Sequence, residues 1–207
     1  MATRARNSKR RYGGIAMVLH WTMAMLMIAL VILGLYMSRL PEVGFNTLKI
    51  RLIIAHKEIG ILVLWLAALR FAWRFGDGLP SPVRDMPEWQ KVAARFVHLC
   101  FYALMFALPI TGWLMSSAAG LPVSFFGLFD LPDFIDYNEG HFETLLAIHK
   151  ALGYTLIPFI CVHVGAALHH HFIARDATLD KMLPEGASRV FTASVPAAAP
   201  SDGGRLP

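Results

Sequence analysis

The chain has 207 residues, of which 56% are hydrophobic and only 16% charged, and its mean hydropathy is +0.52. That balance excludes an ordinary soluble globule and a disordered chain, and points to an integral membrane protein. The net charge of +5 does not signal nucleic-acid binding, because the nineteen basic residues gather in the two tails and the second loop instead of lying along one face or helix.

Residues 1–14 form a basic tail carrying Arg4, Arg6, Lys9, Arg10 and Arg11. The first apolar run, 15–37, follows directly. It is longer than a signal-peptide core and no small-x-small site ends it, so it reads as a retained anchor. A second run covers 52–71, with Lys57 and Glu58 inside it. The segment Gly76-Asp77-Gly78-Leu79-Pro80-Ser81-Pro82 is turn and linker chemistry. A third run covers 96–118 and a fourth covers 144–172, with Lys150 inside the latter. Each is long enough for a helix to cross a hydrocarbon core about 30 Å thick. Pro109 and Pro158 fall within the third and fourth runs and are expected to kink those helices. The connection 119–143 is acidic, with Asp130, Asp133, Asp136, Glu139 and Glu143. Residues 184–207 are rich in Ala, Pro, Ser and Gly and are expected to be disordered.

The expected architecture is an all-α membrane protein: a four-transmembrane-helix bundle over residues 15–183, flanked by the tails 1–14 and 184–207. Both tails and the second loop carry the basic excess, while the third loop carries no Lys or Arg. The positive-inside rule then places both termini in the cytoplasm and the acidic loop outside. Cys100 and Cys161 lie in separate runs, outside any paired motif, and read as small buried hydrophobes.

The histidines carry the chemistry. His149 and His163 are fourteen residues apart, close to four helical turns, so they share a face about 21 Å apart along the axis. His20 lies near the cytoplasmic start of the first run and His56 near the outer start of the second. Depth therefore pairs His20 with His163, and His56 with His149. Ligating groups inside a span are costly and functional by default, and two pairs at two depths suit two stacked bis-histidine haems held between helices. Zinc prefers three or four ligands converging on one point. Copper favours thiolate and thioether donors, yet Met23, Met25 and Met27 are spaced for different helix faces.

An internal echo accompanies two of these histidines: His56-Lys57-x-x-Gly60 and His149-Lys150-x-x-Gly153. A glycine four residues on stands on the same helix face. It either clears room for a flat macrocycle or permits close helix contact. Lys57 and Lys150 either snorkel to headgroups or pair with the propionates of an outer haem, and Arg10, Arg11 and Tyr12 are the corresponding candidates for an inner one. His98 is a structural group, a substitute ligand or a quinone contact. His141 is expected to be solvated. His169, His170 and His171 form an interfacial rim, from which His170 is placed to reach a propionate.

Together Leu19-His20-Trp21, His56-Lys57-x-x-Gly60, His98 through Gly112, His149-Lys150-x-x-Gly153-Tyr154 and His163-x5-His169-His170 resemble the bacterial cytochrome b561 family over about residues 11–184. The resemblance implies four transmembrane helices, two b-type haems on His20, His56, His149 and His163, the inner membrane of a Gram-negative bacterium, and electron exchange with ubiquinone. Some members are superoxide:quinone oxidoreductases. Three functions follow for weighing. The first is a stand-alone carrier between the periplasm and quinone, with superoxide oxidation as its sharpest form; Arg39, Lys49, Arg51, Lys57 and Lys150 favour an anionic substrate outside, and the acidic loop opposes it. The second is an electron-transfer subunit for a separate dehydrogenase or c-type cytochrome, to which the acidic loop offers a docking surface. The third is a non-redox bundle whose histidines are packing contacts.

Overall fold

A computed structural model describes residues 4–41, 46–83 and 86–184. The expected tail 184–207 lies outside the described residues beyond its first residue. Four long helices dominate: α1 (Gly14–Ser38), α2 (Thr47–Gly76), α3 (Glu88–Ala118) and α4 (Glu139–Phe172). All four are long and apolar enough to span a membrane.

α2, α3 and α4 outrun their apolar stretches by a turn or more at their N-terminal ends, whereas α1 matches its own almost residue for residue. Asn46 caps α2 by accepting from the Lys49 backbone N–H at 3.1 Å, and Asn138 caps α4 by accepting from His141 N–H at 2.9 Å. Such caps satisfy amide donors that the helix itself leaves orphaned. The first turn of α3 is tied by a 2.7 Å ion pair between Glu88 and Lys91. Pro109 and Pro158 both sit inside continuous helices. Beyond Pro109, the Thr111 hydroxyl donates to Ala107 O and Leu108 O at 2.7 and 2.9 Å.

The acidic connection holds a feature the hydropathy pattern did not announce. Strands β1 (Val123–Phe125) and β2 (Phe129–Leu131) pair antiparallel, with Val123 opposite Leu131 and Phe125 opposite Phe129. The turn places Phe126 and Gly127 at φ 51° and 70°, the left-handed region that glycine tolerates and a bulky aromatic does not. Val123 and Leu131 bury themselves on Ile61 of α2, with Trp113 of α3 alongside. Lys57 Nζ donates to Pro122 O at 2.8 Å and Trp113 Nε1 to Pro132 O at 3.1 Å. The hairpin is thereby pinned beside the N-terminal part of α2 and the C-terminal end of α3.

At the opposite end the N-terminal tail is an ordered strap. Asn7 N–H donates to the buried carboxylate of Asp77 at 2.8 Å, and its side-chain amide donates to Gly78 O at 3.0 Å. Ser81 N–H donates to Lys9 O at 3.0 Å. The segment after α4 closes on the same end: Arg11 donates to the carbonyls of Asp180 and Leu183, and Trp21 Nε1 donates to Met182 O at 2.9 Å. His170 Nδ1 meets Asp176 Oδ2 at 2.6 Å. Burial pushes the Asp176 carboxyl up, but hydrogen bonds from Thr178 and His170 outweigh it and hold the group below its ordinary value.

Side-by-side packing joins α1 to α2, α2 to α3 and α3 to α4. Midway down the bundle Met23, Met27, Val63, Ala67, Leu104, Met105 and Leu156 form one buried apolar layer. Large apolar side chains such as Val18, Ile32, Trp65, Leu69 and Val162 point outward, as a bilayer-facing surface requires.

Candidate functional site

The four histidines of interest come together in two pairs, as depth alone had suggested. His20 of α1 faces His163 of α4 with ring centroids 6.1 Å apart, and His56 of α2 faces His149 of α4, also at 6.1 Å. A metal–imidazole bond of about 2 Å, plus about 1 Å from nitrogen to ring centre, puts two rings on opposite sides of one metal at about 6 Å. The pairs lie above and below the apolar layer. They bridge α1 to α4 and α2 to α4, and neither of those helix pairs is among the ones that pack closely side by side. The rings thus face each other across the wider gaps of the bundle.

The His56–His149 pair is held from behind by its neighbours. A Cβ at Gly34 of α1 would stand 3.3 Å from His56 Cε1, and one at Gly112 of α3 would stand 3.3 Å from His149 Cε1. Both glycines give the rings their room. The Thr111 hydroxyl spends its proton on backbone carbonyls, so toward His149 Nδ1, 3.1 Å away, it accepts. With Thr111 accepting there, His149 carries its proton on Nδ1 and bares the Nε2 lone pair, the tautomer a metal ligand needs. His56 Nδ1 is buried without a hydrogen-bond partner. The two echo glycines behave differently from Gly34 and Gly112. A Cβ at Gly60 or Gly153 would meet nothing within 4 Å. That disfavours their reading as helix-contact residues and favours free volume one turn from each ring.

The His20–His163 pair has different company. His98 of α3 stands 5.3 Å from His163, ring to ring, as does Phe101. His98 Nδ1 donates to Ala94 O at 2.6 Å. Trp21 meets the His20 ring edge-on at 5.3 Å. Arg70 of α2 donates from Nη2 to His20 Nδ1 at 3.2 Å, and Arg74 lies 5.4 Å from the centre of the Tyr102 ring. Tyr12 joins this cluster from the strap; burial raises its phenol above the ordinary value, with the Arg74 and Arg70 charges acting the other way.

Several other sequence candidates are engaged elsewhere. Arg11 holds the segment after α4, His170 holds Asp176, and Lys57 holds the hairpin. His141 is exposed at the start of α4. Arg70, Gly34, Gly112 and Thr111 were missed, although a signal existed. Fourteen residues separate His149 from His163, and the same fourteen separate His20 from Gly34, His56 from Arg70 and His98 from Gly112. Each helix supplies one residue to each level.

The scaffold is that of an integral-membrane helical bundle with imidazoles poised between its helices. The model for the prokaryotic cytochrome b561 family matches residues 11–185, and the chain belongs to that family. Among its relatives, cytochrome b561 homolog 2 of Escherichia coli (strain K12) is 35% identical over 183 residues, covering 88% of this chain and 96% of the relative. Cytochrome b561 homolog 1 of the same organism is 36% identical over 134 residues, covering 62% of this chain and 73% of the relative. A Yersinia pestis protein named probable superoxide oxidase CybB is 28% identical over 177 residues, covering 85% of this chain and 97% of the relative. Family membership makes this a membrane electron-transfer protein that uses b-type haem.

Proposed function

We propose that the chain is a di-haem cytochrome b of the bacterial inner membrane, multi-pass with both termini cytoplasmic, which carries electrons between the periplasm and membrane ubiquinone. The observation that carries it is the pair of imidazole pairs, each at 6.1 Å, set about 21 Å apart by fourteen residues of α4. His56 and His149 would hold the outer haem, His20 and His163 the inner one. When bound, each haem supplies one-electron transfer inside a hydrophobic wall. The chain's own part is to fix the axial rings. Thr111 sets the His149 tautomer, Gly34 and Gly112 seat the outer rings, and the apolar layer keeps water from joining the two levels.

As electron donor we favour superoxide. Two superoxide anions lose one electron each to give two O2, and one quinone takes both electrons and two protons to become the quinol. The Yersinia relative's name supports this activity. The acidic residues of the outer connection favour a second reading, docking of a cationic c-type cytochrome or a dehydrogenase subunit.

Haem content of the purified protein tests the core of the proposal. About two haems per chain are expected from four ligands, and one or none overturns it. Single alanine variants then test the pairing. His56→Ala and His149→Ala are expected to lose the same haem, and His20→Ala and His163→Ala the other. Matching spectra of His56→Ala and His163→Ala would refute the assignment. Stopped-flow mixing of the oxidised protein with superoxide, and separately with a reduced c-type cytochrome, distinguishes the two donors.

A further inference from the structure

Arg70 occupies, in α2, the inner level that His163 occupies in α4, fourteen residues beyond the outer histidine of its own helix. Its guanidinium donates to His20 Nδ1 at 3.2 Å, and its charge also reaches His98 and His163. A guanidinium has only donors, so His20 Nδ1 is here an acceptor. An imidazole that binds metal through Nε2 keeps its proton on Nδ1. Two donors cannot share one hydrogen bond, so metal at His20 Nε2 displaces Arg70 from the ring.

The displaced guanidinium needs an acceptor, and no protein carboxylate among the described residues is paired with it. Among the described residues neither Arg70 nor Arg74 makes an ion pair. At this end Asp77 is committed to Asn7 and Asp176 to His170 and Thr178, while Asp180 keeps a buried Oδ1 without a hydrogen-bond partner among the described residues and is paired with neither arginine. Arg70 is only partly exposed, and an unpaired charge inside a span is expensive. Arg74 follows one turn later on the same face, with its guanidinium over Tyr102. Two guanidiniums one helical turn apart, next to an axial-ligand candidate, match two carboxylates on one molecule, since Arg–carboxylate pairing is bidentate and strong.

We propose that Arg70 and Arg74 clamp the two propionates of the inner haem, and that Arg70 moves from His20 Nδ1 to a propionate as the cofactor enters. This rests on the di-haem reading. The clamp replaces Arg10 and Arg11 as the inner counter-charges, Arg11 being bound to the Asp180 and Leu183 carbonyls. It also gives the inner level a fixed positive field that favours the reduced haem.

The test uses detergent-purified holoprotein, wild type and the variants Arg70→Gln, Arg70→Lys and Arg74→Gln. Wild-type haem content comes first, and one haem or none overturns the reading and the clamp together. With two haems present, redox titration of Arg70→Gln is expected to shift the reduction equilibrium of the inner haem about tenfold toward the oxidised form, 59 mV for one electron, and to leave the outer haem unchanged. Arg74→Gln is expected to shift the same haem in the same direction, and Arg70→Lys to restore part of the effect. The propionate bending band in the resonance Raman spectrum should move in both Gln variants. Should Arg70→Gln not hold its inner haem, Arg74→Gln and Arg70→Lys decide by the same two readouts. Wild-type potentials and an unmoved propionate band in Arg74→Gln, with two haems retained, would overturn the clamp while leaving the di-haem reading intact.

Discussion

Leucine at Gly60 or Gly153 separates a cofactor role for these positions from a helix-packing role. With protein atoms alone, a Cβ at either site meets nothing within 4 Å, so neither substitution creates a clash between helices. Replacing glycine inside a helix instead favours the helix by about 1 kcal/mol. A packing role therefore predicts neutral or stabilised protein with full haem content. If the free volume one turn from His56 and His149 holds the outer macrocycle, the added side chain overlaps it. Overpacking costs about 1–3 kcal/mol, which is about 5- to 150-fold in affinity for that haem. Pyridine haemochrome content, together with low-temperature difference spectra, reads the loss and assigns it to one site. The expected result is selective loss of the haem that His56→Ala also loses, with unchanged or raised thermal stability of the rest. Two haems with native spectra in both leucine variants would refute the assignment of that volume to the macrocycle.

Fusions at the C-terminus are expected to be fluorescent and inactive as alkaline phosphatase, following the Lys and Arg distribution; the opposite pair of signals reverses the inner and outer labels. Arg175 adopts φ 51° just beyond α4, where glycine is the unstrained choice, so Arg175→Gly is expected to raise stability by about 1 kcal/mol in thermal unfolding. Asp77→Ala leaves the Asn7 amide without its acceptor and is expected to speed hydrogen exchange in residues 5–13 while haem content holds. Asp176 has a depressed pKa, so its contribution is present above the ordinary carboxylate range and lost as pH falls through the lower folded value. Exchange across residues 177–183 should therefore quicken on acidification below about pH 4, and an Asp176→Asn variant should lack that pH step.

The spans were legible because a bilayer demands long apolar runs and little else competes with that signal. Helix ends were less so. Residues 47–51, 88–95 and 139–143 are polar turns beyond the apolar windows, and only local caps such as Asn46 and Asn138 extend the helices over them. The hairpin was hidden because three-residue strands leave almost no period, and the acids around them dominate the composition. The strap was hidden for another reason. Basic residues next to an anchor read as a topology signal, whereas the bonds of Asn7 to Asp77 and Gly78 span about seventy residues of chain. At the site, the His149–His163 spacing and the depth pairing led to the rings that now face each other. Arg70 escaped because it stands at the very end of the second apolar run, next to the basic second loop, although it shares the fourteen-residue spacing. Gly34 and Gly112 escaped because a glycine's role against a ring on another helix depends on contacts no single helix displays.

The apolar layer of Met23, Met27, Val63, Ala67, Leu104, Met105 and Leu156 has an electrical consequence. Its seven side chains are apolar, so they give a proton no relay of their own alongside an electron that crosses the layer. The two histidine levels are separated by about two thirds of a 30 Å hydrocarbon core. With both termini cytoplasmic, as proposed, an electron moving from the His56–His149 level to the His20–His163 level would work against a negative-inside membrane voltage, at about 1.5 kcal/mol for every 100 mV. Uncompensated by a proton, that movement charges the membrane. On the proposed topology and direction of flow, oxidation outside and quinone reduction inside would add to the transmembrane potential, and a large potential would slow turnover in return. The layer that insulates the two levels makes the protein a capacitor-charging element as well as a conductor.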